Sequence, residues 1–348
     1  MSPPILVSFF LFLSLPLLFL LSPHLLSTTH FSSSPDADDL SLFRRATTTT
    51  RHLSTASNQK PKIAFLFLTN SNLSFAPLWQ KFFSSDPNRH LFNIYIHADP
   101  TSAVADPGGV FHGRFIPSKK TYRSSPTLIS AARRLLANAL LDDPLNQYFA
   151  LMSQHCIPLF SLRFVYNYLF ERSPNSAASR ANHRSFIEII SHESNLYERY
   201  LARGVDVMLP EVPYHHFRVG SQFFTLTRHH AKLVVKDQRL WKKFRLPSIT
   251  EDPSYPEEHY FPTLLSMVDR NCCTGSTLTR VNWTGSWNGH PHLYTPEEVS
   301  PELICNLREP NSRNYLHLFA RKFSPECLVP LMDIADDVII RDNEVVLC

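Results

Sequence analysis

Two adjacent glutamates and a histidine, Glu257-Glu258-His259, stand in the stretch SYPEEHYFPTLL (254–265). A carboxylate held in the first turn of a helix stays charged and oriented, which is what a general base requires. Ser254-x-x-Glu257 also fits a capping box, with Pro256 suited to the first helical turn. Glu257 therefore has a ready structural reading, whereas Glu258 is harder to dismiss and is the candidate base. His259 is able either to hydrogen-bond a substrate or simply to pack.

Three further groups carry possible chemistry. His97-Ala98-Asp99 follows a strand-like run, at the edge where α/β folds bind ligands, so Asp99 either accepts from a base or ribose or turns the chain. Phe319-Ala320-Arg321-Lys322-Phe323 sets two cations between aromatics, for a diphosphate or for solvent. Gly220-Ser221, after Arg218 and His215-His216, lines a pocket or makes a turn. From residue 60 onward no Asp-x-Asp occurs; Asp36-Ala37-Asp38 is the sole match. No His-Glu-x-x-His or Cys-x-x-Cys is present either. These patterns predict catalysis without a metal cofactor, with cationic side chains neutralising the developing charge.

The elements that must position these groups alternate. Lys62–Thr69 (KIAFLFLT) is a continuous apolar run that predicts a buried strand, followed by a helix-like stretch at Trp79–Phe83. Phe92–His97 and Tyr148–Met152 read as strands, and Leu128–Leu141 and Leu162–Phe170 as helices. This alternation predicts an α/β fold with a mostly parallel central sheet flanked by helices. Neither GxGxxG nor a P-loop is present. Beyond residue 220, strands are expected at Ser221–Leu226, Leu278–Trp283 and Val338–Ile340, and helices at His229–Lys236 and Glu257–Val268.

The ends of the chain point to a compartment. Residues 5–22 (ILVSFFLFLSLPLLFLLS) are uncharged and just long enough to span a bilayer, so 1–4 read as a cytoplasmic tail and 5–26 as a signal anchor. Residues 27–60, rich in Ser and Thr, read as a disordered stem before a luminal domain at 61–348. Asn72-Leu73-Ser74 and Asn282-Trp283-Thr284 are N-glycosylation sequons. Six cysteines suit an oxidising compartment and allow fifteen complete pairings. A net charge of +4 without a long basic run argues against nucleic acid as partner.

Taken in order, several stretches carry a resemblance. FLFLTNSNLSFAPLWQKFF (65–83), NIYIHADP (93–100), LMSQHCIPLFSLRFVYNYL (151–169) and RVGSQFFTLTRHHAKLVVKD (218–237) are followed by YPEEHYFPTLLSM (255–267) and LFARKFSPECLVPLM (318–332). The chain resembles the plant branch of the core-2/I-branching β-1,6-N-acetylglucosaminyltransferase family over essentially all of 61–342. The resemblance implies a single-domain nucleotide-sugar transferase fold of the A type, type II topology in the Golgi membrane, and metal-independent inversion. It implies a UDP-sugar donor, UDP-N-acetylglucosamine or UDP-glucuronic acid, and a glycan or glycoprotein acceptor. It carries the base onto Glu258, a nucleotide contact onto Asp99 and a diphosphate contact onto Lys322; Thr69, Gly220 and Ser221 are further candidates for the donor side. Glu302 stands near the place of a second family cation, leaving Arg308, Arg313 or Arg321 to substitute, of which Arg321 is the choice. Tyr122-Arg123 replaces a common Trp-Gly, and Ser130, Ala132 and Ser254 also depart. A carboxylate-bearing donor would want a cation such as Arg123 or Arg218, and Glu257, His259 and Tyr122 complete the candidate pocket. The alternative is a non-catalytic Golgi protein that keeps the fold and binds glycans or partners.

Overall fold

Every residue of the strand Ile63 to Thr69 is buried, as its unbroken apolar sequence demands. The computed structural model describes residues 35–48, 59–170, 184–250, 254–286 and 289–341. Its strands are β1 (Lys62–Thr69), β2 (Phe92–Ala98), β3 (Asn146–Ser153), β4 (Cys156–Pro158), β5 (Ser185–Glu188), β6 (Thr225–Thr227), β7 (Cys273–Gly275), β8 (Thr279–Val281) and β9 (Phe319–Arg321). Its helices are α1 (Pro35–Thr48), α2 (Ala76–Ser84), α3 (Pro126–Asp142), α4 (Leu162–Phe170) and α5 (Leu196–Leu201). They continue with α6 (Arg228–Lys236), α7 (Trp241–Phe244), α8 (Pro256–Asp269), α9 (Pro301–Arg308) and α10 (Leu328–Asp333).

The main sheet runs β2-β1-β3-β6-β5-β7. β1 pairs in parallel with β2 and β3, and β5 with β7; β6 is antiparallel to both neighbours. One reversed strand thus interrupts an otherwise parallel sheet, the mixed α/β architecture that the alternation predicts. A second sheet, β4-β9-β8, carries Arg321 on its middle strand.

Aromatic packing joins the layers. Phe65 and Phe67 of β1 meet Trp79 of α2 edge-on at 6.0 and 5.3 Å, and Phe83 stacks on Phe92 at 4.5 Å. Trp79 also lies 6.0 Å from Phe319 of β9, and its indole N–H donates to the Cys156 carbonyl at 3.0 Å. Each such ring buries roughly 150–250 Å², so this cluster fixes the second sheet against the first. Arg133 of α3 is fully buried, its guanidinium 4.6 Å from Phe43 of α1 and 5.2 Å from Trp241. It donates to the Val235 and Asp237 carbonyls, so an arginine acts here as core.

Four expectations are corrected. Val338–Ile340 is no strand: Val338 N–H donates to Ile334 and Ile340 N–H to Ala335, closing a π-helical turn over Ala335–Ile339. The strand expected at 221–226 shrinks to Thr225–Thr227, because Ser221 N–H is taken by the Glu188 carboxylate. No Ser254–Glu257 capping box forms; α8 starts after Tyr255, without a side-chain cap. Within 27–60, residues 35–48 are helical rather than disordered, and Phe43 and Ala46 are buried. The apolar run 5–22 lies outside the described residues, among which no helix is long and apolar enough to cross a membrane. Cys156, Cys272, Cys273 and Cys327 carry free thiols, so a framework of three disulfides is not formed.

Candidate active site

α8 begins under strain. Tyr255, its N-cap, adopts φ 40°, a left-handed conformation that costs a non-glycine residue roughly 1–3 kcal/mol. Three contacts hold it there. Its N–H donates to Ser124 Oγ at 2.9 Å, and its ring lies 5.8 Å from the Arg123 guanidinium and 5.4 Å from that of Arg199. A side chain at Gly289 would come within 2.6 Å of the Tyr255 hydroxyl, so that position is restricted to glycine. Pro256 then occupies the first helical turn, and Glu257 and Glu258 follow it.

The two glutamates face different surroundings. Glu257 is buried, and one of its carboxylate oxygens has no hydrogen-bond partner. Burial pushes its carboxyl up to about 8, and the adjacent Glu258 adds to the rise. Glu258 keeps 29% of its side-chain surface, with Arg199 Nη1 3.8 Å from its Oε2. Burial pushes Glu258 up to about 7; Arg199 and Arg321 pull it down, while Glu193 and Glu188 push it up. Arg199 is shared, with Glu193 Oε2 at 3.7 Å. Glu258 therefore exchanges a proton near neutral pH, as an efficient base must.

The Gly220-Ser221 turn supports this carboxylate from behind. Gly220 N–H donates to the Glu258 carbonyl at 2.9 Å, and Ser221 N–H to Glu188 Oε2 at 2.9 Å. A Cβ at Gly220 would lie 2.1 Å from the Glu188 carbonyl oxygen, so only glycine fits. Glu188 and Ser221 also line a cavity of about 930 Å³ that extends past Trp283, Asn282 and Tyr294.

Cations gather on the other side. Arg321 spreads its guanidinium over the Phe223 ring at 4.2 Å, and its charge acts on both Glu258 and Lys322. Lys322 Nζ lies 3.3 Å from His290 Nδ1. Burial lowers the Lys322 ammonium, and Arg321 and Arg123 lower it further. Nearby His155 bonds the Phe323 carbonyl at 3.0 Å. Arg321, Lys322, His290 and His155 thus act on one another here, and Glu258 is the carboxylate whose charge acts on Arg321. Such a group offers itself to an anion.

Asp99 plays a different part from a free acceptor. It is 3% exposed and takes hydrogen bonds from the N–H and hydroxyl groups of both Thr101 and Thr121, at 2.7–3.0 Å. Burial would raise its carboxyl, but these bonds outweigh it and hold the group well below the usual carboxylate range. Thr69, at the end of β1, receives the Asp99 N–H on its carbonyl at 3.0 Å.

The remaining candidates disperse. His259 is fully buried, stacked on Phe217 at 4.6 Å and bonded to the Arg218 carbonyl at 2.8 Å; burial lowers it to about 3. It packs, neutral. Arg218 turns its guanidinium onto the His215 and Phe217 carbonyls. Arg308 donates to Leu159 and Val338, and Arg313 to Thr274, so of the three substitutes Arg321 joins the cluster. Tyr122 is 55% exposed under the Lys120 ammonium. Asn72 is exposed and its side chain accepts from Ala105, while Asn282 closes a turn onto Thr284 N–H. Arg199, Glu193 and Glu188 escaped sequence reasoning: they lie in no motif, and only the fold carries them to Glu258.

The profile of the Core-2/I-Branching enzyme family matches residues 63–308. The chain belongs to that family. It is also similar to Glycosyltransferase BC10 of Oryza sativa subsp. japonica, 27% identical over 325 residues, covering 79% of this chain and 76% of the relative. The core-2/I-branching match spans β1 to the end of α9, including Glu258 and the turn beneath it. It stops before β9, so Arg321 and Lys322 join the site through the fold. Family and relative together support glycosyltransferase activity for the chain.

Proposed function

We propose that the chain moves a sugar from a UDP-sugar to a hydroxyl of a glycan or glycoprotein, by inversion and without a metal. Glu258 takes the proton of the acceptor hydroxyl as that oxygen attacks the anomeric carbon. The bond from that carbon to UDP breaks on the opposite face, and the electron pair leaves with the diphosphate. Arg321 and Lys322 counter the charge that grows there. The observation that carries this reading is the pairing of Glu258, pushed up to about 7, with an adjacent cluster of cations. A positioned base contributes roughly 10²–10⁴-fold, and preorganised charge at the leaving group a similar factor.

Arg123 sits by Lys322 and Tyr255, where it is able to meet a donor carboxylate. That supports UDP-glucuronic acid beside UDP-N-acetylglucosamine as donor. The acceptor is assigned to the cavity beyond Ser221, where the exposed Trp283 offers a face for a sugar ring. The uncharged run 5–22 is long enough for a membrane anchor, and the family resemblance supports a type II orientation in the Golgi membrane, with the domain from 61 in the lumen.

The test is the full chain in detergent, incubated with a panel of UDP-sugars and glycan acceptors. Transfer from either named donor, undiminished by a chelator, is expected. Hydrolysis without transfer, or no turnover with any UDP-sugar while UDP still binds, overturns the reading.

A further inference from the structure

At the far end of α8, well away from Glu258, a second cluster of side chains has the makings of a metal site. His229 Nε2 lies 3.4 Å and His230 Nε2 3.3 Å from the same oxygen, Asp269 Oδ2. The three ligand atoms all fall within 4.8 Å of one another. The thiol of Cys272, a free cysteine, hydrogen-bonds the Asp269 carboxylate as well. A zinc ion with bonds of about 2.0–2.1 Å sets neighbouring nitrogen and oxygen ligands about 3.3–3.4 Å apart around a tetrahedron. Two of the three edges already have that length.

The hydrogen bonds around His230 supply a second observation. Ser185 Oγ donates to Thr227 Oγ1 and accepts from Thr227 N–H, and it lies 2.7 Å from His230 Nδ1. When the serine proton turns to Thr227, Nδ1 carries the ring proton and donates to Ser185; when it turns to Nδ1, Nε2–H donates to Asp269. In the first of these tautomers the Nε2 lone pair faces the Asp269 oxygen at 3.3 Å, the arrangement that a cation bridges. Binding a cation selects that tautomer. The serine fulfils the role that outer partners of metal-binding histidines usually have, fixing tautomer and ring orientation.

The geometry points to a structural site for zinc or a zinc-like divalent ion, held by His229, His230 and Asp269, with the Cys272 thiol, bonded to Asp269, turning in to take the fourth position. The Cys272 thiol gives up its proton to solvent on binding. His230 and Asp269 are in place, and the exposed His229 ring closes the third edge by rotating toward the ion. The site ties the start of α6 to the end of α8 and the entry to β7. Asp269 lies eleven residues beyond Glu258 on α8, about 16 Å at 1.5 Å per residue. The ion is therefore remote from the transfer chemistry, and the assignment stands independently of the donor or base.

Purified full chain, stripped with chelator and kept in a non-thiol reductant, is titrated with zinc chloride and separately with cobalt chloride. One zinc per chain is expected, with a rise in unfolding temperature. Cobalt should give the intense visible bands of a four-coordinate site, with a thiolate charge-transfer band that C272S removes. H229A, at an exposed position, should fold and weaken zinc binding at least tenfold; D269N should abolish it. Binding that is weaker than about 100 µM, or unchanged in H229A and D269N, overturns the site. Immediate loss of turnover on chelation without any drop in unfolding temperature overturns the structural role.

Discussion

Gly220 N–H donates to the backbone carbonyl of Glu258 across 2.9 Å, while the next amide, Ser221, bonds the Glu188 carboxylate. Two consecutive peptide groups thereby stitch the end of β5 to the first turn of α8. The orientation of the candidate base is consequently set by a turn more than thirty residues upstream, and by a glycine whose missing Cβ permits the approach.

G220A should be costly. The added methyl would meet the Glu188 carbonyl at 2.1 Å, and the backbone must move to admit it. We expect a loss of about 1–3 kcal/mol in stability, read by denaturant unfolding, together with a larger fall in kcat than in donor affinity. Unchanged kcat in G220A would mean that the turn does not position Glu258.

E258Q keeps shape and removes the base. Turnover should fall roughly 10²–10⁴-fold while UDP still binds, as measured by initial rates and calorimetry. An indifferent E258Q would favour a glycan-binding protein that merely retains the fold.

Activity and stability should respond to pH in opposite directions. Glu258 at about 7 must lose its proton to act as a base, so kcat/KM rises with pH through neutrality. Arg199 lowers that value, so R199Q should move the rising limb to higher pH. In the unfolded chain both glutamates titrate near 4.5, below their folded values of about 7 and 8. The fold thus holds extra protons between these limits, and the stability that they contribute, complete below pH 4.5, is lost as pH rises through 7 to 8. E257Q should flatten the fall in a melting-temperature series without moving the kinetic limb.

K322Q should weaken UDP binding. Losing one charge-assisted bond costs about 1.5–3 kcal/mol, which is roughly 10–150-fold in Kd by titration. R321Q should do the same and also raise the kinetic pKa, since Arg321 stabilises the ionised Glu258.

W283A should separate acceptor from donor. An aromatic stacking contact is worth about 0.5–1.5 kcal/mol, so the acceptor KM should rise roughly 2–10-fold with donor KM unchanged. A donor effect of equal size would place the acceptor elsewhere.

The long elements of this fold are legible because their patterns are strong. KIAFLFLT becomes β1 at the boundaries its composition suggests, and LRFVYNYLF becomes α4. β4, β5, β7 and β9 have three or four residues each, too few for a period to show, and they exist through pairing with distant partners. Val338–Ile340 has strand-forming residues, yet its amides find carbonyls in the preceding turn first. At the site, the acidic pair stands out because prolines frame it. Arg199 and Glu193 lie in a short helical segment and the loop before it, with nothing in their neighbours to mark them. Arg133 reads as a solvated charge and is instead a buried strut, since two aromatic faces and two carbonyls replace its water.

The saturation of Asp99 has a consequence for selectivity. A carboxylate offers about four lone-pair positions, and Thr101 and Thr121 between them already fill that number. A nucleoside that arrives at this edge of the sheet gains a bond from Asp99 only by evicting a threonine. If the donor's nucleoside binds at this corner, as proposed, discrimination between bases there is a matter of contour, with the acid serving as the rivet that keeps the mould rigid.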